Sequence, residues 1–211
     1  EALLNAIKGN IRFTIFKNEL ANKLEDVENS EKEIDRLLQI ILDTSALRDA
    51  MQRYVVPEKV KKLVQSILSL EDKVRVKKQE ISESDKELLF SIREKMKQEK
   101  RKISMKIRLD DKELYIRIKN DSPIMEGDMD RINESRQKHY QLYLEGRSSD
   151  YFRPEFLDEK ESAGFGIAMI DEGFYNMGLN PIEQFTYTQA KTTTTVYMIY
   201  PLDKLRAGAF G

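Results

Sequence analysis

Glu1 and Asn5 stand one helical turn apart in the opening segment EALLNAIKGN, so a carboxylate and an amide oxygen project from the same face, a pair suited to holding Mg²⁺ and polarising a water. Lys8, one turn further, adds a cation for phosphate. Asn120-Asp121-Ser122-Pro123 closes a strand-like run at a place where an amide or a carboxylate can face a heterocycle; the same residues also make an ordinary Asx-turn. In Ser162-Ala163-Gly164-Phe165-Gly166 small residues open a helix, and Gly-x-Gly there lets backbone N–H groups approach phosphate with the helix dipole assisting. Thr192 to Thr195 carry four hydroxyls into a last strand, and a Thr run is equally a plain strand former.

The elements that must position these residues follow from hydrophobic period. Leu3, Leu4 and Ile7 mark the apolar face of a first helix over 1–9, with Gly9-Asn10 as its C-cap, and IRFTIF at 11–16 reads as a short strand. Helices follow near 18–29, 31–43, 45–55, 58–79 and 85–102, with stripes such as Ile34, Leu37, Ile41 and Leu63, Ile67, Leu70. Ser84 and Glu87 make a capping box for the last of them. At Ile103 the period falls to two: ISMKIRL, the turn LDDKE and LYIRIKN form a β-hairpin. Residues 121–163 read as a long polar excursion of lid type with a modest helical stretch near 128–145, followed by a helix over 165–177 and two strands, EQFTYTQ and TTTTVYMIYP. The class is α+β, a two-layer sandwich of mixed or antiparallel sheet and helices with an inserted all-helical subdomain.

Composition narrows the chemistry. The chain of 211 residues carries 36 Lys+Arg against 37 Asp+Glu, a net charge of −1, which excludes a strongly basic nucleic-acid platform and makes nucleic acid an unexpected partner. With no Cys, disulfides, thiolate catalysis and cysteine-ligated zinc are excluded, and with His139 as the single histidine so are histidine metal clusters. His139, among Arg136, Lys138 and Tyr140 in the excursion, reads as an exposed surface histidine. No run approaches the length of a membrane span, and a reducing, cytoplasmic setting is expected. The chain opens at Glu1 within an apolar helical pattern, so a piece of a longer protein is expected.

The order of these features resembles the GHKL ATPase superfamily of gyrase-type ATPases, ninety-kilodalton heat-shock chaperones, mismatch-repair ATPases and sensor histidine kinases. EALLNAIKGN is similar to the N box, most of all its histidine-kinase version with Asn-Ala-hydrophobic-Lys. IRIKNDSPI stands where the family has its first glycine box, GFGIAMIDEGFYNMG is similar to the second, and TTTTVYMIYPL looks like the closing strand.

The resemblance implies a Bergerat ATP-binding fold over 1–17 and 103–211, a helical insertion over 18–102, and a missing strand and helix upstream of Glu1. It implies ATP and Mg²⁺ as cofactors, with Asn5 the metal ligand, Glu1 the general-base partner and Lys8 a phosphate contact. Gly164, Phe165 and Gly166 would be the phosphate-facing lid hinge, and Thr194 or Thr195 the hydroxyl near the adenine. The family's adenine-reading Asp falls on Asn120, with Asp121 one place late, and Ser122 and Ile124 replace glycines of that box. The function implied is the ATP-binding domain of a signalling protein, kinase or ATPase, with a protein partner or upstream signalling domain. The alternative is a degenerate domain that serves as a protein-interaction module without efficient nucleotide turnover.

Overall fold

The computed structural model describes residues 1–25, 58–124, 126–153, 162–190 and 192–208. Helix α1 spans Ala2–Glu25 without a break. The C-cap expected at Gly9-Asn10 and the strand expected at 11–16 are therefore absent, and IRFTIF is helical. Tertiary burial overrides its β-propensity: Ile11 and Ile15 are buried in a helical core, while Phe13 and Thr14 are buried beside them. Gly9 stays inside the helix because α1 runs close to the end of a strand; a Cβ there would lie 2.6 Å from Ser122 Oγ and 3.2 Å from Asn120 Nδ2.

Helices α2 (Glu58–Arg75) and α3 (Glu83–Gln98) pack on α1, α2 through the stripe read from the sequence at Ile67 and Leu70 together with Val60 and Val64, and α3 through Leu89 and Ile92. The cap of α3 is Ser82, not Ser84: Ser82 Oγ accepts from the Asp85 N–H at 3.2 Å. The helices expected near 31–43 and 45–55, and the end of the one expected over 18–29, lie outside the described residues.

Strands β1 (Ile103–Leu109) and β2 (Glu113–Asn120) form the expected hairpin, in register from Ile103 opposite Asn120 to Leu109 opposite Leu114. Asp110 closes its turn, accepting from the N–H groups of Lys112 at 2.9 Å and Glu113 at 3.0 Å. The chain continues through α4 (Glu126–Leu144), a 3₁₀ turn at Ser148–Phe152, α5 (Ser162–Asn176), the short α6 (Pro181–Gln184), β3 (Phe185–Gln189), β4 (Thr194–Pro201) and α7 (Leu202–Gly208). The sheet has four strands in the order β1-β2-β4-β3, all antiparallel, in an α+β arrangement.

The described helices that reach the sheet cover one face, where Ala2 and Ala6 of α1 and Ile167 and Phe174 of α5 meet Ile118, Phe185 and Met198. Helices α1 and α5 thus share a face, as expected, but through different α1 residues. Leu3 and Leu4 are 43% and 37% exposed, and Ile7 turns to the helical core. Small Ala2, Ala6 and Gly9 form the contact stripe because the helix lies too close to the sheet for leucines. No break in the chain marks the boundary expected after residue 17, which falls inside α1.

The excursion after β2 is built against α5 over its described part. Arg136 of α4 forks onto Asp171 of α5, with Nε–Oδ2 at 2.9 Å and Nη2–Oδ1 at 3.0 Å, and also donates to Pro181 O at 2.9 Å. His139 is fully buried rather than exposed, its ring 5.1 to 5.4 Å from those of Tyr151, Phe152 and Tyr175. Its Nε2 lies 2.9 Å from Glu172 Oε2, and desolvation lowers its pKa below the ordinary histidine range against the opposing pull of Glu172.

Candidate functional site

A cavity of about 140 Å³ lies between α1, the end of β2, the start of β4 and the helices beyond. Ala2, Ala6, Ile167, Phe185 and Val196 supply its apolar wall, and Asn5, Lys8, Asn120 and Thr194 its polar groups. Each comes from a local feature with a reason to be there. Asn5 and Lys8 flank the small-residue stripe by which α1 lies on the sheet, so both face the cavity edge. Asn120 and Thr194 are opposite one another in the β2–β4 register, on the helix-covered face. Alternation alone settles Thr195: it faces the opposite side of the sheet and does not line the cavity.

The turn after β2 is held tightly. Asn120 Nδ2 donates to Ser122 Oγ at 2.6 Å and to Asn10 Oδ1 at 3.3 Å, and Thr194 Oγ1 donates to Ser122 O at 2.7 Å. Asn10, 1% exposed, passes the link on by donating from Nδ2 to Lys102 O at 3.1 Å. With its amide nitrogen committed, Asn120 has its carbonyl oxygen left to offer a ligand. Asp121 is no substitute. Its Oδ2 accepts from the Lys102 N–H at 2.8 Å and its carbonyl from Arg101 Nη1 at 2.7 Å, so it secures the α3–β1 junction and does not line the cavity.

At the other end of the α1 stripe, Gly166 lies against Glu1 and Asn5. A Cβ there would clash with Glu1 Oε2 and lie 3.4 Å from Asn5 Nδ2. A carboxylate, an amide and the first turns of α5 therefore meet at one point. Gly164 and Phe165 are in the first turn of α5. Gly166 and Glu1 do not line the cavity itself. Among the described residues no three Asp, Glu or His side chains converge on a metal position.

Lys8 has no carboxylate partner among the described residues. The sequence reading missed two neighbours. Arg12 continues the same stripe, seven residues beyond Asn5, and helical period alone could have found it. Its Nη1 lies 2.7 Å from Asp128 Oδ2 on α4, while its Nε is buried without a partner. Asp128, also paired with Arg131, reaches the cavity from a helix whose packing no local pattern announced.

No helix among the described residues is long and apolar enough to cross a membrane. In comparisons with known proteins the chain matches no family model, no curated protein and no solved structure.

Proposed function

We propose that this chain is a nucleotide-binding domain of the GHKL superfamily, with a Bergerat-type fold closest to that of histidine kinases, which holds Mg-ATP for a signalling protein. One observation carries the reading. The segments that resemble the N box, the first glycine box and the closing strand lie far apart in sequence, yet Asn5, Lys8, Asn120 and Thr194 line one cavity. The segment resembling the second glycine box adjoins them where Gly166 meets Glu1 and Asn5.

The residues fit the group. A cavity of about 140 Å³ is close to the roughly 150 Å³ that admits a benzene-sized ring, which supports a heterocycle entering it with the sugar and phosphates toward its Asn5 and Lys8 edge. Along α1 the Asn5 and Arg12 positions are separated by about 10 Å, at about 1.5 Å per residue, a span that suits a base near Asn120 and Arg12 and phosphate near Glu1 and Asn5. Mg²⁺ commonly takes only one or two protein ligands and completes its shell with water and phosphate, so the Asn5 amide oxygen can serve as its ligand while the Glu1 carboxylate stays free as a base.

Bound Mg-ATP supplies the transferable phosphoryl group and the metal's charge. The chain positions and neutralises: Asn5 orients, Lys8 offsets phosphate charge, and the Glu1 carboxylate accepts the proton of the attacking group. Asn120 accepts from the base through Oδ1, and Ile167, Phe185 and Val196 exclude water from it. Burial of His139 removes it as a phosphoacceptor, so a kinase of this kind acts on a histidine elsewhere.

Titration calorimetry with Mg-ATP and a non-hydrolysable analogue tests the reading. Asn5→Ala is expected to abolish metal-dependent binding while the melting temperature holds, since Ala is the better helix former at this half-buried position. The commitment of Asn120 to Asn10 and Ser122 favours a second reading, a degenerate module that keeps the fold to engage a protein. Absence of binding at millimolar Mg-ATP would decide for it.

A further inference from the structure

The sheet face opposite the helices gathers a different set of side chains. Strand alternation and register place Ser104, Lys106 and Arg108 of β1 there, with Glu113, Tyr115, Arg117 and Lys119 of β2, Thr195 and Tyr197 of β4, and Thr186 and Thr188 of β3. Four cations thus meet one acid in a chain whose net charge is −1. Glu113 is taken by Arg108. Lys106, Arg117 and Lys119 have no carboxylate partner among the described residues, although most described arginines do. Lys106 and Arg117 are directly opposite in register, a like-charge pair that costs stability, and Arg117 Nε is buried without an acceptor. Such an arrangement is unfavourable for the free protein and is relieved by an anion.

Aromatic rings lie among these charges. Tyr115 and Tyr197 stand on the two central strands with ring centroids 6.3 Å apart; the Arg108 guanidinium lies over Tyr115 at 5.3 Å, where a base would take its place, and Tyr197 is opposite Arg117 in the register. Exposed hydroxyls of Ser104, Thr186 and Thr188 surround them. A four-stranded sheet that is covered by helices on one side and offers paired aromatics, cations and hydroxyls on the other can stack bases while holding the backbone between them.

We propose that this face, which no described helix covers, binds single-stranded nucleic acid, with the half-exposed Tyr115 and Tyr197 as stacking platforms and Lys106, Arg117 and Lys119 as the phosphate contacts. The balanced charge of the whole chain excludes a molecule that is basic throughout. It does not exclude a basic face, because alternation sorts the cations of β1 and β2 to one side. The site lies across the sheet from the nucleotide cavity and does not depend on what that cavity holds.

Fluorescence anisotropy with labelled oligouridylate and oligothymidylate of about ten nucleotides, within the usual site sizes, tests the proposal on the whole chain. Binding is expected to weaken with salt at a log–log slope of about −2, since each of three neutralised phosphates contributes about −0.7. Lys119→Glu, at an exposed position, is expected to weaken it at least tenfold with an unchanged melting temperature. Tyr197→Leu is expected to weaken it about tenfold while leaving the salt slope as it was, which a purely electrostatic contact would not do. The ratio of the two affinities tells RNA from DNA. Absence of binding at low salt, indifference to both substitutions, or competition by Mg-ATP would each overturn the proposal. So would phosphatidylserine vesicles bound through Lys119 when neither oligonucleotide is, which would make the face a membrane contact.

Discussion

Asn120 lines the cavity, and its surroundings demand a donor from its side chain. Its Nδ2 serves Ser122 Oγ and Asn10 Oδ1, and Asn10 cannot turn its amide without surrendering Lys102 O. Asn120→Asp would place a carboxylate oxygen against Asn10 Oδ1 in a buried setting. The expected loss is about 1 to 3 kcal/mol, or a fall in melting temperature of roughly 2 to 4 °C per kcal/mol, measurable by calorimetry. A variant as stable as the parent would show that Asn10 reorients at no cost. His139 sets a pH dependence. Because burial depresses its folded-state pKa below that of the unfolded chain, the unfolded state takes up a proton first as pH falls, and stability declines below about pH 6.5 until the folded-state value is passed. Urea midpoints between about pH 7.5 and 5 should fall accordingly, and His139→Phe should reduce that slope.

At the scale of elements, α1 and α3 show what period can and cannot locate. The start of α3 was misplaced by two residues because Ser82 and Ser84 both precede acidic residues at a capping distance. Geometry separates them: Ser82 accepts from the Asp85 N–H and donates to Asp85 Oδ2 at 2.7 Å. Ser82→Ala should therefore cost about 1 kcal/mol, whereas Ser84→Ala should stay within about 0.5 kcal/mol in the same chemical denaturation. Equal effects would mean that the two serines share the cap. In α1 the signal was stronger and still misleading, because Gly-Asn followed by β-branched and aromatic residues is the local pattern of a helix end and a strand. The helix continues because two of its faces are buried, Ala2 and Ala6 on the sheet and Ile11 and Ile15 among α2 and α3.

On the scale of the whole molecule, that shared helix makes one body of two cores. Thr14, fully buried, donates to Glu99 Oε2 at 2.9 Å, and Arg101 stacks over Phe13 at 4.4 Å while reaching Asp121 O beside the cavity. Ile15→Ala, a truncation in the helical core costing about 2 to 5 kcal/mol, should lower the protection of Ile118 amides in the sheet as well as that of Ile67 in α2. Hydrogen exchange that slackened only around Ile67 would show the two cores to be independent. The sequence by itself determined the hairpin at 103–120, the helices over 58–75 and 83–98 to within a few residues, the strands before and after Gln189, and the stripe of Glu1, Asn5 and Lys8. All of these rest on short-range periods and turn residues that act through adjacent backbone. Only tertiary structure decided that Leu3 and Leu4 remain exposed, that Asp121 faces away from the cavity and that His139 is buried. It likewise paired Arg12 with Asp128, 116 residues away. Those outcomes depend on how closely elements approach and which face each presents, and distance between remote segments leaves no mark in local spacing.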